Sequence, residues 1–381
     1  MKRSDFSILK YRDINYLQLT CLQIVSPNSI LCTIRRITLL LIVFNLYTIA
    51  YTQVIKGTIK DQYTRNPIYF ASIYFNGTFL GTHSDQNGHF ELDVSKYSSM
   101  PLTISALGYY SNTLNDFSTE KQHLIYLEPK IFELQEVVIS ANAKAASRER
   151  RTNMKLFKDE FLGTTLNAQR CEIINENDII LTFNKVSETI SAFSEKPIQI
   201  NNKGLGYKII YYLDKFEYNK PNHSLIFTGN YIFIEDPTTN KNQKKIYEKR
   251  RKTAYLGSRM HFFRALWDNN LDSSGFMIQN SANEKLLYDN IIFQTDSLAP
   301  GGQEKYLTNK GDLFITYFSK TPQSGITFMD DYVYFDINGY FDPLGISWSG
   351  EMANQRIGDM LPFEYSVKKY NANEIKIQNF Y

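Results

Sequence analysis

At 381 residues, the chain is long enough for two ordinary domains with cores of their own. A hydrophobic content of 43% with 21% charged residues excludes wholesale disorder, and no apolar run approaches the roughly 20 residues of a membrane-spanning helix. The net charge of +3 divides into +4 before residue 37 and −1 after residue 52, so most of the chain has no general electrostatic case for binding nucleic acid.

In chain order the first feature is a leader. Arg35 and Arg36 precede an apolar stretch from Ile37 to Ala50, and Ala50-Tyr51-Thr52 puts small residues at −3 and −1 of a cleavage after Thr52. This is the pattern of a secretory signal peptide; the competing reading is a retained anchor, for which the stretch is short. Residues 1–34 lie upstream of a normal signal start, so the extension and leader, 1–52, are set aside from the fold. Cys32 follows Ile30-Leu31 rather than the small residues of a lipoprotein signal. Once Cys21 and Cys32 leave with the leader, Cys171 has no partner for an internal disulfide and reads as a small buried hydrophobe.

The aromatics, 27 Tyr and 26 Phe, suit half-buried pleated surfaces and predict a mainly β protein. Residues 53–128 read as a first module. Ala71, Ile73 and Phe75 alternate with Ser72, Tyr74 and Asn76; Phe90, Leu92 and Val94 with Glu91 and Asp93; and Leu102, Ile104 and Ala106 with Thr103 and Ser105. A period of two over several short runs predicts strands with one buried face. Asn76-Gly77, Ser84 to Gly88 and Gly108 supply turns at the spacing of a β-sandwich. Asp85 is expected to bond back to its own turn while Gly88 takes φ > 0 at the next strand's entry. A calcium loop at Asp85-x-Asn87-Gly88 is the alternative, and it lacks the later bidentate Glu and a flanking helix.

The spaced positions Gly57-x-Ile59-x-Asp61, Thr64, Pro67-Ile68, Ala71-x-Ile73, Gly77-Thr78, Gly81-Thr82-x-Ser84-Asp85-x-x-Gly88-x-Phe90-x-Leu92 and Ser105 to Tyr109 together resemble the carboxypeptidase regulatory-like domain. The resemblance implies a seven-stranded transthyretin-like sandwich, common at the front of exported Gram-negative proteins and outer-membrane nutrient receptors. Glu133-Leu134-Gln135-Glu136-Val137-Val138-Ile139 is similar to the segment that follows it in those receptors. It implies no protease chemistry. The histidines, His83, His89, His123, His223 and His261, form no H-x-x-E or H-E-x-x-H pattern, so neither a catalytic zinc site nor another cofactor is expected.

Residues 129–153 are small and charged without an apolar period and read as a linker, helical at its end. The remainder, 154–381, is expected to be a β-rich α+β domain containing a helical pair. Tyr207, Ile209, Tyr211 and Leu213 alternate with Lys208, Ile210 and Tyr212, and Leu225 to Phe233 and Asp331 to Ile337 are further strand candidates. Lys244 to Ala254 is basic and helical, and Ser258 is placed to cap a second helix in which Met260, Phe263 and Trp267 share a packing stripe. Pieces such as Phe161-Leu162-Gly163-Thr164, Gly204-Leu205-Gly206-Tyr207 and Leu361-Pro362-Phe363-Glu364-Tyr365 resemble an uncharacterised C-terminal region that accompanies the regulatory-like domain in other exported proteins. That resemblance implies no activity.

The candidate interaction residues lie in the helical pair. Lys245, Lys249, Arg250 and Arg251, with Lys241, Lys244 and Lys252 against Glu248, make a cationic run. It reads either as a solvated face or as a peripheral contact with an anionic membrane surface or acidic glycan. Ser258, His261 and Arg264 would form a polar site if they faced a cleft. His261 and Arg264 share a helix face, and a structural role for them is the favoured reading.

No G-x-S-x-G, Walker loop or G-x-G-x-x-G after a strand occurs, and the adjacent Asp330 and Asp331 would point to opposite faces of a strand, against a glycosidase pair. The leading expectation is a non-catalytic exported cell-envelope protein, periplasmic or outer-membrane associated. Its sandwich presents a second domain to an envelope protein or glycan partner. The runner-up is a carbohydrate-binding module linked to glycan uptake, which an exposed row of two or three aromatics would favour. An unrecognised hydrolase comes third. An outer-membrane barrel, prompted by the terminal Phe380-Tyr381, is opposed by the helical, basic stretch.

Overall fold

The computed structural model describes residues 53–115, 117, 121–130, 143–236, 238, 240–296, 303–318 and 323–367. The leader, with Cys21 and Cys32, and the terminal Phe380-Tyr381 lie outside these residues.

Seven short strands build the first module. β1 (Val54–Asp61) lies between β4 (His89–Asp93), antiparallel to it, and β7 (Gln122–Leu127), parallel to it. β2 (Ser72–Phe75), β3 (Gly81–His83), β5 (Leu102–Ser105) and β6 (Asn112–Leu114) form the second sheet in the order β3-β2-β5-β6. Ile55, Ile59, Ile73, Phe75, Phe90, Leu92, Ile104 and Leu127 fill the space between the sheets. The alternating runs and spaced turns predict a sandwich, and its seven strands are the number that the resemblance implies.

The turn before β4 is built as its residues require. Asp85 Oδ1 accepts from the backbone N–H groups of Asn87 and His89, each at 2.8 Å. Gly88 has φ +76°, and a Cβ there would sit 2.4 Å from the Ile59 carbonyl oxygen. Only glycine fits that conformation and that approach. Asp61 works the same way at the end of β1: its carboxylate accepts from Tyr63 N, Thr64 N and the Tyr109 hydroxyl.

In the second part of the chain, six strands form one sheet, ordered β8-β11-β12-β10-β9 with β13 alongside β12. They are β8 (Cys171–Ile173), β9 (Ile180–Asn184), β10 (Thr189–Phe193), β11 (Ile198–Asn202), β12 (Tyr207–Asn219) and β13 (Ser224–Glu235). β12 buries Tyr207, Ile209, Tyr211 and Leu213 in alternation, shifts register between Leu213 and Lys215, and then buries Phe216 and Tyr218. Helix α1 (Ala143–Leu162) begins within the segment read as a linker and lays Met154, Phe157, Phe161 and Leu162 on this sheet. Its rings meet Phe216 and Tyr211 edge to face, with centroids at 4.8 and 4.9 Å.

The helical pair is α2 (Lys241–Tyr255) and α3 (Arg259–Trp267), capped by Asn240 and Ser258. Phe262, Phe263, Ala265 and Leu266 of α3 share a third core with two small sheets. One comprises β14 (Phe276–Gln279), β17 (Leu313–Tyr317), β18 (Ser324–Phe328) and β20 (Ile346–Gly350); the other comprises β15 (Ile292–Asp296), β16 (Gln303–Leu307) and β19 (Val333–Phe335). The expected strand from Asp331 to Ile337 is shorter than its pattern. Asp336 is buried and its Oδ1 accepts from Asn338 N and Tyr340 N, which closes a turn and ends β19.

The sandwich is clasped to the second part by main-chain bonds. Gly77 N donates to Tyr231 O, Phe233 N to Thr78 O, and Phe363 N to Gly77 O. Phe79 N donates to Glu364 Oε1 and Tyr231 N to Asn76 Oδ1, both at 2.9 Å. A second contact is a half-buried ion pair. Lys130, just beyond β7, donates to Leu213 O at 2.9 Å and lies 3.6 Å from Asp214 at the register shift of β12. Burial lowers the pKa of Lys130 and raises that of Asp214, each opposed by the other's charge.

Candidate functional site

The cationic run on α2 is divided by the fold. Lys241, Lys244, Lys245 and Lys249 are exposed to solvent. Arg250 and Arg251 turn toward the loop between β11 and β12. Arg250 Nη1 donates to Gly204 O at 3.3 Å; Arg251 donates through Nε to Leu205 O at 2.8 Å and through Nη2 to Gly206 O at 3.2 Å. Arg251 also pairs with Glu235 and sits 4.0 Å above the Tyr207 ring. Gly206, at φ +71°, lies so close to Tyr247 of α2 that a Cβ would approach the ring to 2.4 Å. The two arginines and Gly206 therefore dock α2, and Gly204-Leu205-Gly206 is a packing loop.

Ser258, His261 and Arg264 are brought together, and their bonds run within the fold. Ser258 Oγ accepts from His261 N at 3.0 Å as the N-cap of α3. His261 Nδ1 accepts from Gly257 N at 3.2 Å, and its ring packs among Tyr255, Phe276 and Tyr317. Burial, and then the charge of Arg264, push its pKa down to about 4. Arg264 donates to three carbonyls: Asn338 O at 2.9 Å, Tyr365 O at 2.7 Å and Phe363 O at 3.0 Å. These are the bonds of a structural clamp. In the packing stripe, Phe263 is fully buried, while Met260 and Trp267 pack partly buried against two different cores.

Cys171 is half-buried, with its thiol pushed up to about 12, first by burial and then by the charge of Asp359. A thiol held so far from its thiolate is a poor nucleophile. Iodoacetamide at pH 8 should leave Cys171 unmodified in native protein and alkylate it fully in urea, as read by peptide mass spectrometry.

Sequence reasoning missed a groove on the sandwich. Edge strands β3 and β4 flank an open recess of about 430 Å³, lined by Lys56, Thr82, His83, Asp85, His89 and Glu91 among others. His89 Nδ1 bonds with Thr58 Oγ1 at 2.8 Å, and Ser72 Oγ bridges His83 Nδ1 and the Tyr212 hydroxyl. Phe70 stacks on the His83 ring at 4.3 Å and 6°, stays 60% exposed and has φ +59°, an unusual conformation for a bulky side chain. No periodicity marks it, because Phe70 lies in a turn between strands. Among the described residues no group of three His, Cys, Asp or Glu could hold a metal ion, and no helix is long and apolar enough to cross a membrane.

Residues 55–139 match the family described as CarboxypepD_reg-like domain. This segment is a carboxypeptidase regulatory-like domain. The regulatory-like domain accounts for the sandwich, and the match continues into the Glu133 to Ile139 segment, all of which lies outside the described residues. It is a non-catalytic module, and the match does not extend to the part of the chain that follows it. No curated protein matches the chain. Among solved structures, the chain is similar to a 9R-lipoxygenase from Cyanothece PCC8801, at 10% identity over 58% of this chain and 48% of that one, with a TM-score of 0.17. The chain thus spans about half of that enzyme's length, and a likeness at this level carries no argument about fold or activity.

Proposed function

We propose that the protein is a non-catalytic, exported cell-envelope protein whose regulatory-like domain holds the C-terminal domain and presents it to a partner in the periplasm or at the outer membrane. The observation that carries this is the clasp at residues 76–79, where main-chain bonds to Tyr231, Phe233 and Phe363 join the two parts. Bonds of this kind hold one part against the other, which suits a module that acts by contact. Export rests on the Arg35 to Thr52 leader pattern. The exposed Lys241, Lys244, Lys245 and Lys249 offer a peripheral contact for an anionic surface. Cell fractionation with N-terminal sequencing tests the proposal. The tagged product should occur in the envelope fraction and begin at Gln53, whereas an uncleaved N-terminus on a cytosolic product would overturn it.

A second reading, a carbohydrate-binding protein, is favoured by rings left in solvent: Phe70 on His83, and the outer face of the sheet formed by β15, β16 and β19.

A further inference from the structure

The three strands of the small sheet β15-β16-β19 have unequal faces. The inner face carries Leu307, Val333 and Phe335, all fully buried, and Lys305, whose Nζ is held by Trp267 O at 2.7 Å. The outer face carries a ladder of rings in register. Phe293 pairs with Tyr306 across β15 and β16, and Tyr306 pairs with Tyr334 across β16 and β19. Their centroids are 6.2 and 5.8 Å apart. Tyr332 extends the row beside Phe293 at 5.4 Å, and Tyr340 extends it beyond Tyr334 at 6.3 Å. Phe293 and Tyr332 are 47% and 54% exposed, and Tyr306 is partly exposed. At the other end the row is anchored. The Tyr334 hydroxyl donates to Ser99 O of the sandwich, and Tyr340 packs on Phe363.

We propose that the exposed end of this ladder, Phe293, Tyr306 and Tyr332, binds a neutral glycan chain by ring stacking. This gives the carbohydrate reading above a site and depends on that reading only for the class of partner. Three features select the occupant. Pyranose rings present flat C–H faces to aromatic rings, and rings 6.2 and 5.4 Å apart can engage neighbouring sugars of one chain. The charges select against anions: Glu304 lies on the outer face beside Tyr306, whose hydroxyl donates to it at 2.7 Å, while Lys305 of the same strand is fixed on the inner face. An anionic lipid or an acidic glycan would meet a carboxylate there, whereas sugar hydroxyls can donate to it. Neighbouring rings of the site are tilted by 47° and 52° to one another, so the track suits a chain that turns along its length.

Native affinity electrophoresis of the purified protein in gels containing soluble β-1,3-glucan, α-glucan, xylan or galactomannan tests this, with alginate and heparin as polyanionic arms. At least one neutral polysaccharide should retard the protein. Phe293→Ala and Tyr332→Ala should each weaken that retardation roughly tenfold or more, as removal of a ring anchor does. Both side chains are half exposed, so circular-dichroism melts should show the variants folded. Retardation that survives both variants but is lost in Phe70→Ala would overturn this site and leave the carbohydrate reading standing. Retardation by none of the neutral polysaccharides, or by the polyanions alone, would overturn both. A dimer in sedimentation velocity that Phe293→Ala dissociates would overturn the site by showing a second copy as its occupant.

Discussion

Arg264→Met should lower the free energy of unfolding by roughly 3 kcal/mol or more, since it removes three charge-assisted hydrogen bonds and leaves their carbonyls to be satisfied elsewhere. The guanidinium of Arg264 holds Asn338 O, Phe363 O and Tyr365 O, and stands 5.6 Å from the Tyr255 ring centroid. Methionine fills the volume of the stem, so the loss is one of bonds rather than of packing. The segment that Arg264 holds is the one whose Phe363 N and Glu364 carboxylate bond to the turn at Gly77 and Phe79. The variant should therefore also loosen the sandwich from the second domain. In urea, the unfolding midpoint should fall, and fluorescence and circular dichroism should cease to report one transition. Arg264→Lys has one ammonium for three diverging carbonyls and should recover only part of the loss. A change below about 1 kcal/mol would show that water replaces these bonds and that Arg264 clamps nothing.

Stability should fall between pH 6.5 and pH 4 through His261, on the order of 3 kcal/mol in total. Its pKa in the fold is about 4, against an ordinary value of 6.5. Above pH 6.5 the imidazole is neutral in both states, and its contribution to stability is fully present. Below that, the unfolded chain binds a proton that the folded chain refuses, and the contribution is gone once pH passes through the folded value. The cause is burial among Tyr255, Phe276 and Tyr317, with the Arg264 charge second. The buried carboxyl of Asp336, and the half-buried Asp214 and Glu160, have pKa values raised chiefly by burial and act in the opposite sense as pH falls. The diagnostic is therefore a difference. His261→Asn keeps an acceptor for Gly257 N and removes the titration. Urea unfolding at intervals from pH 8 to pH 4 should give a flatter profile for the variant, and parallel profiles would refute the assignment.

The sandwich was legible because its residue types alternate along the strands, although only β4 keeps one wet and one dry face, whereas β2 and β5 are buried on both. Phe90 and Leu92 are buried while His89, Glu91 and Asp93 are exposed, so the period of two survives in the residue types. The turn at Asp85 to Gly88 was legible because its geometry is set by residues four positions apart or closer. In the small sheets of the C-terminal domain only β19 was anticipated, within Asp331 to Ile337, and the other strands escaped notice for the opposite reason. On β15 and β16 the outer face carries Phe293 and Tyr306, so apolar residue types occur on both faces and the alternation disappears.

The candidate site shows the same division. Helix α2 and the Ser258 cap were readable from composition and spacing, both local properties. Which cations stay in solvent was not. Lysines and arginines alternate along α2 without a mark, and Arg250 and Arg251 turn inward because the 204–206 loop offers carbonyls and Gly206 admits Tyr247. His261 and Arg264 are polar residues whose role follows from what surrounds them, and the carbonyls that Arg264 holds lie 74 to 101 residues away. Local patterning was thus enough for the strands with one dry face, the turns and the helix starts. Partner choice across long stretches of chain, which makes Arg264 a clamp, the 76–79 turn a clasp and three strands an aromatic ladder, emerged only once packing had brought the partners together.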